Sequence, residues 1–85
     1  MKNEDVLLRL IAISGELPAG LVGEIVGSET YAAALITRLK KEHYISVRNA
    51  GGFKGYVLRS KGKRYLLEKY EDDLFFFLSG SAQTN

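Results

Sequence analysis

SETYAAALITRLKKEHYISVRNAGGFKGYVLRSKGKRYLLEK, residues 28–69, decides how this chain is read. Ser28 is a good helix N-cap, and behind it Ala32, Leu35, Ile36 and Leu39 fall on one side of a wheel of about 100° per residue. The spacing predicts a helix over residues 28 to about 43, with Thr30, Ala33, Ala34, Thr37 and Lys41 facing the other way and Arg38 and Lys40 on the flanks. YISVR at 44–48 then alternates as a strand with Ile45 and Val47 inward, and YVLR at 56–59 answers it with Tyr56 and Leu58 inward. NAGGFKG at 49–55 joins the two as a loop rich in turn formers. Ser60 can cap a further helix in which Tyr65, Leu66, Lys69 and Tyr70 span two turns.

Positive charge accumulates along the same stretch. Between positions 38 and 69 ten Lys and Arg face two acids, Glu42 and Glu68, a local balance of +8. Residues 1–37 carry −3 and residues 70–85 another −3, which recovers the overall +2. A one-sided basic field suggests a polyanionic partner. The plainer reading of a charge run, a solvated surface, stands beside it.

Upstream, Asn3 can cap a first helix whose opening turn holds Glu4 and Asp5, at the positive end of the helix dipole. Val6, Leu7, Leu10, Ile11 and Ser14 keep helical spacing until Gly15 stops it. Pro18 sits where a second helix would place its first residue, because the missing N–H costs nothing there. That helix is expected to bury Leu21, Val22 and Ile25 and to end at Gly27. Only Gly27 and Ser28 separate it from the next, which reads as a helix-turn-helix.

A chain of 85 residues, 46% hydrophobic and 26% charged, has room for one domain with one small core. It contains no cysteine, so it has no disulfide, thiolate ligand or cysteine nucleophile, which favours the cytoplasm. The apolar run at 6–13 is interrupted by Arg9 and falls far short of the roughly 20 residues of a membrane span. Acids precede it, unlike a signal peptide.

The order helix, helix, helix, hairpin, helix resembles the winged helix-turn-helix family over residues 4–70, and GYVLRSKGKRYL at 55–66 resembles that family's wing exit: tyrosine, a residue, leucine, threonine, two residues, glycine, then a helix. Arg59 stands where threonine is usual and Ser60 takes over the cap, which leaves the helix start open by one residue. More narrowly, the chain is similar to small winged-helix segments encoded on conjugative and other mobile elements of Gram-positive bacteria. The resemblance implies an α+β winged helix-turn-helix domain over residues 1–70, with three helices, a β-hairpin wing and a C-terminal helix, followed by an apolar run and polar tail over 71–85. It implies a cytoplasmic, cofactor-free protein that binds double-stranded DNA, as a transcriptional regulator or a mobile-element maintenance factor. In that family the third helix enters the major groove and the wing reaches an adjacent groove or the phosphates. DNA contact is thereby carried onto Thr30, Ala33, Ala34, Thr37, Arg38 and Lys41 of the helix and Arg48 and Lys54 of the wing.

The residue chemistry agrees in part. Lys and Arg at these places can neutralise phosphates, and Thr37 or an alanine methyl can touch a thymine methyl. That face lacks Asn and Gln, Arg38 alone suits bidentate base reading, and Glu29 would repel phosphate. The alternative is a winged helix used for protein contacts, with Ala33, Ala34 and Thr37 as a smooth packing face. Enzymatic readings have little to stand on. His43 reads as a cap for helix carbonyls, and Ser14, Ser28, Ser46 and Ser60 lack a His/Asp arrangement. Gly51, Gly52 and Gly55 read as a turn, because no Lys-Ser/Thr follows as a phosphate loop requires. Phe53 at the wing tip either folds back on the hairpin or stays exposed. Glu71, Asp72 and Asp73 read as a solvated linker without a second ligand cluster, so no metal site is expected. Leu74, Phe75, Phe76, Phe77 and Leu78 either complete the core or form a homodimer contact or a join to a further domain.

Overall fold

Leu7, Leu8 and Ile11 recur at helical spacing and are fully buried, the inward stripe of helix α1 (Asn3–Ser14). The computed structural model describes residues 2–70, and from α1 it continues through β1 (Leu17–Pro18), α2 (Ala19–Val26), α3 (Glu29–Lys41), β2 (Ile45–Ala50), β3 (Phe53–Leu58) and α4 (Ser60–Lys69). The architecture of these residues is α+β: four helices and a three-stranded antiparallel sheet in the order β1-β3-β2. No helix among them is long and apolar enough to cross a membrane. One core joins both layers, drawing Leu7, Leu8 and Ile11 from α1, Val22 from α2, Ala32, Leu35, Ile36 and Leu39 from α3, and Leu17, Ile45, Tyr56 and Leu66 from the strands and α4.

Helix α3 forms as its sequence dictates. The Ser28 hydroxyl accepts the Tyr31 N–H at 3.1 Å, and Ala32, Leu35, Ile36 and Leu39 are all buried. It ends at Lys41, short of residue 43. His43 adopts φ 63°, donating its N–H to Lys40 O at 3.0 Å while Tyr44 N–H reaches Leu39 O at 3.0 Å. This is a Schellman closure, so His43 caps the helix through its backbone while its side chain is exposed.

Four other expectations are corrected. Asn3 is the first helical residue of α1, and Lys2 holds the N-cap position without a side-chain hydrogen bond. Pro18 belongs to β1 and precedes α2 as its N-cap. β1 is an edge strand where the missing N–H is harmless, its Leu17 and Pro18 pairing with Tyr56 and Gly55 of β3. On α2 only Val22 of the three expected residues is buried. Leu21 is 42% and Ile25 38% exposed, because the helix turns the stripe Ala19, Val22, Gly23 and Val26 inward. At the far end, Ser60 is the first residue of α4, and Arg59 is its N-cap without a side-chain cap bond.

The hairpin is tighter than a seven-residue loop. Ala50 pairs with Phe53, leaving only Gly51 and Gly52 as the turn, with φ 58° and 78°. Positive φ at both central residues is what a type I′ hairpin turn requires, and glycine supplies it without strain. Ile45–Leu58, Val47–Tyr56 and Asn49–Lys54 therefore share one face of the ribbon, and Ser46–Val57, Arg48–Gly55 and Ala50–Phe53 share the other. Ile45 and Tyr56 are buried, while Val47 and Leu58 are half-buried against the core.

Candidate nucleic-acid interface

With one side of α3 fixed in the core, its periodicity leaves Thr30, Ala33, Ala34, Thr37, Arg38 and Lys41 exposed on the remainder of the helix. Arg48 on β2 and Lys54 on β3 are exposed on the hairpin. The two do not share a face: strand alternation puts Lys54 on the side of Tyr56, with its Nζ 5.9 Å from that ring's centroid, and Arg48 on the side of Gly55. Phe53, beside the turn, remains 54% exposed and does not fold back.

Two of these cations already have acidic partners from the N-terminal part of the chain. Arg38 donates to Glu4 Oε1 at 2.9 Å, with side chains 62% and 27% exposed. Arg48 meets Glu16 Oε1 at 3.5 Å. Glu16 reaches it across the bare position of Gly55, where a Cβ would collide with the carboxylate. Exposed pairs of this kind contribute about 0–1 kcal/mol, so either guanidinium can exchange its carboxylate for another anion at small cost. Glu29 lies over Gly23 of α2, in space that a Cβ there would fill. By contrast Lys40, Lys41, Arg59, Lys61, Lys63 and Arg64 form no ion pair with the described residues. Positive charge without a counter-ion among the described residues is thus concentrated where α3 ends and α4 begins.

α4 is anchored by a group whose role the sequence reading missed. Asp5, read as a first-turn acid, is 1% exposed. It accepts the Tyr65 hydroxyl at 2.8 Å and the Tyr70 hydroxyl, and pairs with Lys69 Nζ at 2.9 Å. Burial pushes its carboxyl up, but the hydrogen bonds from Tyr70, Lys69 and Tyr65 together outweigh burial and hold it below its ordinary value. The same contacts raise the partners. Asp5 and then Tyr65 favour charged Lys69, burial and the neighbouring carboxylate raise Tyr65, and the bond to Asp5 and then burial raise Tyr70. Arg9 stands with its guanidinium carbon 5.5 Å from the Tyr70 ring centroid. The signal was present in the sequence: Asp5 lies on the inward stripe of α1 with Leu8 and Ala12, where an acid needs partners from elsewhere in the fold.

No group of three His, Cys, Asp or Glu side chains among the described residues could hold a metal ion. Leu74, Phe75, Phe76, Phe77 and Leu78, named above as a homodimer contact, lie outside the described residues. No protein-family model matches the chain, and neither a curated protein nor a solved structure is significantly similar to it.

Proposed function

We propose that this chain is a winged helix-turn-helix module that binds double-stranded DNA, with α3 laid in the major groove and the β2–β3 hairpin as its wing. It works by binding, without chemistry or a cofactor of its own, in transcription regulation or mobile-element maintenance in the cytoplasm. The observation that carries this reading is the division of α3: one face locked in the core, the other presenting small side chains and cations beside a two-residue-turn hairpin that adds Arg48 and Lys54. Small side chains let a helix approach base edges closely, and the flanking cations suit phosphates. Replacing Arg38, Lys41, Arg48 and Lys54 together by Ala should weaken binding to duplex DNA and flatten its salt dependence by up to about 0.9 log units for each phosphate no longer neutralised. Unchanged binding by the folded variant refutes this surface.

A second reading, a protein-contact module, is favoured by a separate observation. Leu21 and Ile25 form an exposed i, i+4 pair on α2, and Tyr31 and Phe53 are 43% and 54% exposed. Affinity for duplex DNA that does not change with salt would favour it over the first.

A further inference from the structure

Two aromatic rings and two cations meet where α3 gives way to the sheet and α4 returns. Tyr44 stacks on Tyr65 with 5.0 Å between ring centroids and 28° between planes. Tyr44 is held through its backbone: Arg59 N–H donates to the Tyr44 carbonyl at 2.9 Å, and Gly62 packs so close to that oxygen that any Cβ would collide with it. Tyr44, Lys61, Arg64, Tyr65 and Glu68 line an open pocket of about 250 Å³. Lys61 Nζ stands 5.5 Å from the Tyr44 ring centroid. The Tyr65 hydroxyl is committed to Asp5 at 2.8 Å and Lys69 at 3.1 Å. The Tyr44 hydroxyl, the Lys61 ammonium and the Arg64 guanidinium make no hydrogen bond with the described residues.

An ammonium, a guanidinium fork and a phenol hydroxyl are donors suited to phosphate oxygens. Glu68 opposes them and leaves the lining at a net +1. Tyr44 lies three positions after Lys41, so the pocket begins within about 11 Å of chain from the end of α3. Lys40 and Lys41, also without acidic partners among the described residues, stand at that helix end.

We propose that this pocket takes a backbone phosphate of the duplex that α3 contacts, extending the footprint past the helix and wing onto α4. The inference rests on the DNA-binding reading above. It assigns Tyr44, Lys61 and Arg64 as phosphate contacts and makes Glu68 a brake on affinity.

The test is fluorescence anisotropy of the full chain on a labelled random-sequence 24-base-pair duplex, titrated with salt. Lys61→Ala with Arg64→Ala should make the slope of log affinity against log salt shallower by up to about 0.9, the value for the one phosphate the pocket takes. Glu68→Gln should tighten binding several-fold at low salt, an effect that a merely structural role would not produce. If both variants match the parent while Arg38→Ala with Lys41→Ala still weakens binding, the pocket is not a DNA contact and the DNA reading survives. No binding by the parent chain at 50 mM salt ends both. Tyr44 and Tyr65 NMR signals that saturate with inorganic phosphate alone, with DNA slopes unchanged in the pocket variants, would assign the pocket to a free anion and overturn the proposal.

Discussion

Asp5→Asn is expected to destabilise the domain by about 2–3 kcal/mol, since a hydrogen bond to a charged acceptor is worth about 1.5–3 kcal/mol. The substitution conserves shape but leaves one acceptor oxygen, so only one of the two tyrosine hydroxyls donating to Asp5 keeps its partner. The other meets an amide NH₂. Lys69 is deprived of its carboxylate, but its side chain is 40% exposed and can turn to water, so breaking that pair adds little. In a domain of this size each kcal/mol moves Tm by roughly 4–8 °C, which predicts a fall of about 10–20 °C. The effect carries a pH signature. The Asp5 carboxyl is held below its ordinary 3.8 in the fold, so its contribution is complete above that value and disappears as acid takes the pH down through the folded value. Thermal melts by circular dichroism from neutral pH to about pH 2 should therefore show the parent and variant converging in acid. A loss below about 0.5 kcal/mol at neutral pH, or a gap that stays constant into acid, would refute the anchoring role of Asp5.

Three further outcomes bear on the fold. Leu39→Ala, at a site 1% exposed, should cost about 2–5 kcal/mol, and a Tm that hardly moves would show α3 in another register. Gly62→Ala should cost about 1–3 kcal/mol by driving a methyl into the Tyr44 carbonyl, and unchanged urea unfolding would mean that α4 is not seated there. His43→Gly should stabilise by about 1 kcal/mol, because His43 holds φ 63° where glycine has no Cβ penalty; a lower melting temperature would contradict the Schellman closure.

The helices and hairpin were legible wherever a periodic stripe met a punctuating residue. α3 is the clearest case: Ser28 caps it and its four apolar positions are all buried. α2 resisted because it is apolar nearly all round, so Leu21–Ile25 and Val22–Val26 are equivalent stripes by hydropathy. Gly23 breaks the tie, since Glu29 lies where its side chain would be. β1 was invisible because two residues carry no alternation, and they become a strand only by pairing with Tyr56 and Gly55. The hairpin ends were blurred for the opposite reason: Asn49, Gly55 and their neighbours are turn formers by composition, but pairing across Gly51 and Gly52 draws them into strands. The exposure of the residues assigned to the interface followed from α3's stripe. Which cations are already paired did not, because Glu4–Arg38 and Glu16–Arg48 are separated by more than thirty positions and meet only through the tertiary fold.

Those two pairs bear on how the acidic residues 1–37 and the basic stretch at 38–69 fit one function. Glu4 and Glu16 place negative charge beside the very arginines that the proposed DNA contact uses, which at first sight opposes it. Their energetics point the other way. Each pair is exposed and worth about 0–1 kcal/mol, whereas every phosphate neutralised releases condensed counter-ions and contributes about 0.9 to the salt slope. A duplex can thus displace Glu4 or Glu16 at little cost. Until it does, each carboxylate holds a long side chain near its working position and lowers the rotamer entropy given up on binding. The cations at the end of α3 and the start of α4, without acidic partners among the described residues, need no such exchange, so in this scheme they attract a polyanion first and the paired arginines engage once it has arrived.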